Sequence, residues 1–165
     1  MKKNQEVEAD PYSTSYEAAQ TIALHALAPR ARSRAELHAL LLKRDISEEI
    51  AASVLDNLEL QGLLNDLEFA GLWAESRVRQ KKFSKRVIAQ ELRIKGVAQD
   101  IIEETIDGID DEDEYQMAFT LAERKYRSCS HLDPEVAYRR ISGLMARKGF
   151  SHTITSRIMR ELLAS

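Results

Sequence analysis

Apolar residues recur in this chain at helical spacing, and the whole pattern repeats. The stretch Ser33–Leu58 overlays Ser84–Ile109 without a gap, and a third copy runs from Ala137 to Leu162. Leu37, Ile88 and Ile141 fall in register, as do Leu41, Leu92 and Met145. Each couple is an i, i+4 pair on one face of a helix. Four residues on, Asp45, Gly96 and Gly149 coincide, followed by Ile46, Val97 and Phe150. Ile50, Ile101 and Ile154 then open a second apolar face, which continues through Leu55, Ile106 and Met159 and closes at Leu58, Ile109 and Leu162. Such a period predicts one supersecondary unit, two helices joined by a tight turn, made three times over.

Polar residues punctuate the pattern where helices should begin and end. Gly96 and Gly149 stand where the first helix of a pair must stop, and glycine accepts the left-handed conformation that closes a helix C-terminus. Ser47 and Ser151 follow as N-caps, whereas Ala98 takes that place in the middle copy and weakens the cap there. Ser33-Arg34-Ala35-Glu36 reads as a capping box, Ser84 caps the middle pair, and Asp133-Pro134 places proline at a first helical position. Thr14-Ser15-Tyr16-Glu17 is a further candidate box. Another helical segment precedes each pair, at about 15–27, 66–80 and 113–127; Phe69, Ala70, Trp73 and Ala74 form one of its stripes, and Ala118, Leu121, Ala122 and Tyr126 another. The expected fold is therefore all-α, with three tandem three-helix, helix-turn-helix-like repeats. The expected bounds are a disordered tail over residues 1–13 and repeats over 14–62, 63–110 and 111–165.

Composition narrows the classes of function. With 165 residues, six glycines and three prolines, the chain lacks the turn density of an all-β protein. A single cysteine, Cys129, excludes an internal disulfide framework and fits a reducing, cytoplasmic setting. No apolar run approaches the roughly 20 residues of a membrane span, and Met1–Asp10 has no secretory apolar region. The histidines, His25, His38, His131 and His152, show no metal-ligand spacing. No phosphate-cradling glycine loop, nucleophile elbow or paired-histidine zinc motif is present. An enzyme is not expected, nor a cofactor or a metal.

Net charge is −3, so only the distribution of charge can argue for an acidic ligand. Arg77, Arg79, Lys81, Lys82, Lys85 and Arg86 lie together with no acidic residue among them, and Arg93 and Lys95 extend the bias. Arg124, Lys125 and Arg127 form a second group; Arg139, Arg140, Arg147 and Lys148 form a third. Each residue is either a ligand for phosphates or part of an ordinary solvated helix face, and the density of the 77–86 cluster favours binding there. An acidic run over 103–114 either meets basic groups on a partner or starts a helix, where negative charge complements the dipole. Tyr126 and Tyr138 suit packing better than base stacking, and Cys129 suits a buried bystander thiol.

Several segments together resemble the RecX family. These are the repeat itself, Gly62-Leu63-Leu64-Asn65-Asp66-Leu67-Glu68-Phe69-Ala70, Leu121-Ala122-Glu123-Arg124-Lys125-Tyr126, Arg147-Lys148-Gly149-Phe150-Ser151 and the opening Ala31-Arg32-Ser33-Arg34-Ala35-Glu36-Leu37. The similarity runs over about 22–163. Two positions depart from the family pattern: Lys81-Lys82-Phe83-Ser84 lacks the glycine common before the middle pair, and Asn65 replaces a frequent acidic residue. The resemblance implies an elongated, curved, monomeric repeat protein that lies along the RecA–DNA filament, blocks its growth or promotes its disassembly, and so lowers the recombinase, ATPase and co-protease activities of RecA. Its partners would be the RecA filament and, weakly and salt-dependently, single- or double-stranded DNA, with no membrane. The contacts would come from the basic residues named above. Against this stands a direct DNA-binding module that acts without RecA, as the helix-turn-helix-like pairs suggest, or an adaptor for an unrelated protein.

Overall fold

The computed structural model describes residues 11–164. Among these residues every regular element is helical: α1 (Pro11–Leu27), α2 (Arg34–Lys43), α3 (Glu48–Leu60), α4 (Asp66–Ser76) with a π-helical turn (Arg77–Lys81), α5 (Lys85–Ile94), α6 (Gln99–Asp107), α7 (Asp111–Cys129), α8 (Pro134–Lys148) and α9 (His152–Leu163). Three helices per repeat follow one another in the expected order. Pro11, the first described residue, already lies in α1. Residues 11–13, expected in a disordered tail, are helical, and the expected cap at Thr14 lies inside α1. The rest of that expected tail, residues 1–10, lies outside the described residues.

Most of the other predicted ends are built as the side chains dictate. The Ser33 hydroxyl accepts the Glu36 N–H at 3.1 Å while the Glu36 carboxylate accepts the Ser33 N–H at 3.2 Å, a complete capping box. Ser47 and Ser151 cap α3 and α9 through the amides of Ile50 and Ile154. Ala98 offers α6 no side-chain bond. Asp133 receives the Glu135 N–H ahead of Pro134, and Asp110 receives those of Glu112 and Asp113 at the start of α7. Asn65 accepts the Glu68 N–H through its side-chain oxygen, so it does at α4 what an aspartate would do. Asp45, Gly96 and Gly149 all have positive φ, at 61°, 73° and 92°.

The chain forms two compact units. The first holds residues up to Phe69 together with Lys95–Val97; the second holds Ala70–Ile94 and the chain from Ala98 onward. In the first, Ala19 and Ala23 are the fully buried residues among those described in α1, and these small side chains let it lie close to α2 and α3. Leu37 and Leu41 of α2 interlock with Ile50, Ala51, Val54, Leu55 and Leu58 of α3. The turn between them is closed by Ile46 N–H on the Leu41 carbonyl (3.1 Å) and Asp45 N–H on that of Leu42 (3.0 Å), the paired bonds of a Schellman turn.

In the second unit Ala118 and Ala122 of α7 play the part of Ala19 and Ala23. They meet Ile141 and Met145 of α8 and Ile158, Met159 and Leu162 of α9, with Phe150 sealing the turn. Phe150 N–H bonds the Met145 carbonyl and Gly149 N–H that of Ala146, both at 3.0 Å. The middle pair is less completely covered. Ile88 and Leu92 are buried in α5, but α6 buries Ile102 while Ile101, Ile106 and Ile109, in register with core positions elsewhere, stay half-exposed.

One docking geometry appears in both units. The Ser33 hydroxyl donates to the Lys95 carbonyl at 2.6 Å, and the Ser84 N–H donates to the Lys148 carbonyl at 2.9 Å. Ser33 and Ser84 are in register, and each bonds the residue just before a positive-φ glycine. A Cβ on Gly96 would lie 2.3 Å from the Ala35 Cβ; on Gly149 it would lie 2.3 Å from a Val87 methyl and 2.4 Å from the Ser84 hydroxyl. Only glycine admits these approaches, and its φ suits it to the turn as well.

The Lys95 ammonium closes the first docking contact on the Glu36 carboxylate at 2.6 Å. Burial alone would raise the pKa of Glu36. The hydrogen bonds from Lys95 and from the Ser33 N–H, with the charges of Lys95 and Arg30, outweigh burial and hold it below its ordinary value. A carboxyl held low in the folded chain stabilises that chain above its unfolded value, about 4.3, and the contribution is lost as pH falls through the folded value. Acid unfolding followed by circular dichroism should therefore show Glu36→Gln losing less stability than the wild type below about pH 4.3. Parallel acid profiles would mean that this contact is not formed in solution.

Candidate functional site

The basic residues singled out in the sequence divide into those spent inside the fold and those left on its surface. Arg77 is spent. Its guanidinium lies 3.8 Å from the centroid of the Trp73 ring, and its Nε donates to Glu91 Oε2 at 2.6 Å. Trp73 Nε1 donates to the same oxygen at 2.9 Å, so one carboxylate on α5 ties down both α4 and the π-helical turn after it. Lys85 is spent as well: its N–H donates to Glu114 Oε1 at 2.8 Å, and its ammonium meets Asp111. Two members of the acidic run thus serve the start of α5. Lys95 is held by Glu36 in the first unit, whereas Arg86 stays exposed although its Nε donates to the Gly149 carbonyl at 3.2 Å.

Other cations sit on the surface with light or no pairing. Arg79 with Glu75 and Arg127 with Glu123 are exposed i, i+4 pairs, which are worth little in water. Arg93 Nε reaches Gln99 at 3.2 Å. Lys81, Lys82, Arg124, Arg139, Arg140 and Arg147 are exposed and Lys125 is half-buried; none makes an ion pair among the described residues.

Folding brings three separated sequence groups together in the second unit. Lys82 and Arg124 line one groove of about 290 Å³ with Gln116, Met117, Thr120 and Leu121. The Lys148 ammonium donates to the Lys81 carbonyl at 2.6 Å and stands 5.1 Å from the Phe83 ring centroid. Arg86 bonds the residue after Lys148. Lys81, Lys82, Arg86, Arg124 and Lys148 therefore share one neighbourhood, around the segment that links α4 to α5. Arg139 lies apart on a shallow groove along α8 with Glu135, Val136, Tyr138, Ser142 and Gly143, and Lys95 belongs to the first unit.

Lys82 has an unusual backbone. At φ 53° and ψ 44° it takes the left-handed conformation, which a glycine adopts at lower cost. The turn therefore takes a conformation that favours glycine in the very segment that lacks the glycine common in the family. The aromatic–cation lock at Trp73 and Arg77 was not legible either, although the i, i+4 spacing of the two residues permits it. Gln116, Met117, Thr120 and Leu121, which complete the groove, carry no sequence signal beyond the helical period. Among the described residues, no group of three or more His, Cys, Asp or Glu side chains could hold a metal ion.

Comparison with known proteins covers most of the chain. Three family profiles match in tandem: RecX, first three-helix domain, over residues 19–58; RecX, second three-helix domain, over 65–106; and RecX, third three-helix domain, over 111–159. The regulatory protein RecX of Streptomyces coelicolor is 38% identical over 154 residues, which span 93% of this chain and 82% of that protein. The regulatory protein RecX of Mycobacterium avium is 38% identical over 151 residues, spanning 90% and 87%. The crystal structure of RecX from Lactobacillus salivarius superposes with a TM-score of 0.84 at 25% identity, covering 93% of this chain and 99% of that one. No helix among the described residues is long and apolar enough to cross a membrane.

The division of the cations has a direct consequence for stability. Arg77→Ala removes a charged hydrogen bond and a ring contact and should cost about 1–3 kcal/mol in urea unfolding. Arg79→Ala, two residues away, should change stability by no more than about 0.5 kcal/mol. Equal losses would show that Arg77 holds nothing together.

Proposed function

Because the chain belongs to the RecX family, we propose that it regulates the RecA–DNA filament: it binds the filament through the basic neighbourhood of the second unit and restrains its recombinase, ATPase and co-protease activities. The observation that supports this most is the meeting of Lys81, Lys82, Arg86, Arg124 and Lys148 from three parts of the sequence. Cations on such a surface attract phosphates or acidic side chains and release counterions, so binding should weaken as salt rises. Met117 and Leu121 give the groove beside Lys82 and Arg124 an apolar element, which adds a contact that salt does not screen. The protein acts as a non-catalytic monomer in the cytoplasm on this reading, and inhibition follows from blocked filament extension or promoted disassembly.

The strained backbone at Lys82 makes a clean test available. Lys82→Gly removes a charge from the surface and at the same time relieves the left-handed conformation, which should raise stability by up to about 1 kcal/mol. Combined with Arg124→Ala, it separates loss of binding from loss of fold. In a titration of RecA-driven ATP hydrolysis on single-stranded DNA, the wild type should inhibit and the double variant should need several-fold more protein for the same effect. Unchanged inhibition by the variant would place the contact elsewhere, and no inhibition by the wild type at excess would end the RecA reading.

A further inference from the structure

A further group of basic side chains, none of them among the basic residues weighed above, lies in the first unit. His25, Arg32 and Arg44 line a pocket of about 380 Å³ together with Thr21, Ile22, Ala26 and Leu40. We propose that this pocket binds a nucleotide, with its phosphate held by the three basic side chains and its base or sugar against Ile22, Ala26 and Leu40.

The three basic side chains reach the pocket for separate reasons. His25 stands in the last turn of α1, one helical turn beyond Thr21 and Ile22. Arg44 follows directly on α2 at its C-cap and is exposed. Arg32, in the connection between the two helices, is half-buried, and its Nε donates to the Ala26 carbonyl at 2.8 Å. That bond satisfies a carbonyl at the end of α1 and anchors the base of the guanidinium. The terminal nitrogens of Arg32 make no further hydrogen bond among the described residues, and neither Arg32 nor Arg44 makes an ion pair there.

A purely structural role explains Arg32, as a cap on the C-terminal carbonyls of α1. It does not explain Arg44 or His25, whose side chains make no hydrogen bond or ion pair among the described residues. Among the described residues no carboxylate lines the pocket: Glu17, one turn before Thr21, and Asp45, next to Arg44, are not among its walls. Two guanidinium groups facing one concavity, with an imidazole beside them, favour an anion between them. Phosphate suits them, because guanidinium groups pair with its oxygens in two-point fashion. The concavity, about 380 Å³ and open to solvent, has Ile22, Ala26 and Leu40 in its wall, which offer a base or sugar an apolar contact beside the charges. The same chemistry is offered by a free nucleotide and by one unit of a single strand of nucleic acid.

The test uses the full chain without RecA, so it stands or falls independently of the filament reading. Binding of a short fluorescein-labelled oligothymidylate is measured by anisotropy, and binding of thymidine monophosphate and of inorganic phosphate by calorimetry. The variants are Arg44→Glu and His25→Gln, which spare the Arg32 bond, with melting temperature as the control for folding. Arg44→Glu should weaken the affected ligand about tenfold or more while melting stays within a degree or two of wild type. Parallel loss of oligonucleotide and mononucleotide binding would assign the pocket to a strand; loss of the mononucleotide alone would assign it to a free nucleotide. Wild-type affinity of the variants for both ligands would overturn the proposal. So would inorganic phosphate binding as tightly as the nucleotide, because the aliphatic wall would then contribute nothing.

Discussion

There is no room for a Cβ at the two turns that close α5 and α8, and much of the structure follows from that. At each turn a glycine in the left-handed conformation brings the chain against the start of an earlier helix, close enough that a methyl group would sit 2.3 Å from its neighbour. The approach is fixed by a serine that both begins its own helix and bonds the carbonyl just before the glycine: Ser33 with Lys95, and Ser84 with Lys148. A residue type chosen for a local turn is thus also required for a long-range contact. The side chains around each turn inherit their positions from it. Glu36 meets Lys95 at the first; Arg86, Lys81 and Lys148 meet at the second.

This double use explains how the chain spends its charge. Of the basic residues near the middle repeat, Arg77, Lys85 and Lys95 are committed to carboxylates of the fold, and the acidic residues Asp111 and Glu114 are their counterparts as much as they are helix-start charges. What remains outward is a smaller set, centred on Lys81, Lys82 and Arg124. A sequence count of positive residues therefore overstates the surface open to phosphates or to a partner protein. It also misplaces that surface, since Arg124 and Lys148 approach the 77–86 segment only through the packing of α7 and α8. Lys82 keeps its charge in a backbone conformation that a glycine would hold more cheaply, which sets binding against stability at one residue.

Features governed by neighbours in the chain were legible, and those governed by neighbours in space were not. Capping at Ser33, Ser47, Ser151 and Asp133 depends on hydrogen bonds that span a few residues, so residue type and spacing suffice. Positive φ at Asp45, Gly96 and Gly149 follows from the shared register of the three turns. The core positions Leu37, Ile88 and Ile141 follow from the helical period. The same period named Ile101, Ile106 and Ile109 as core, yet they stay half-exposed, because α6 has less packed over it than α3 or α9 and a period does not report how much of a face is covered. Helix at residues 11–13 is not legible, because the cap pattern at Thr14 points to a later start than α1 has. The lock between Trp73, Arg77 and Glu91, the groove beside Lys82 and the pocket around Arg44 each join residues from different helices, and no single-chain pattern announces them.

The close approach at Gly149 can be tested against a glycine that lacks it. Gly71 lies in α4 with nothing within 4 Å of where its Cβ would be. Urea unfolding of Gly149→Ala and Gly71→Ala measures the difference directly. Gly149→Ala should lose about 2–4 kcal/mol, from a left-handed alanine and a methyl driven into Val87 and Ser84. Gly71→Ala should gain up to about 1 kcal/mol, as expected for an exposed helical site. A Gly149→Ala protein as stable as the wild type would show that the turn does not dock as described, and the convergence of cations that depends on it would lose its basis.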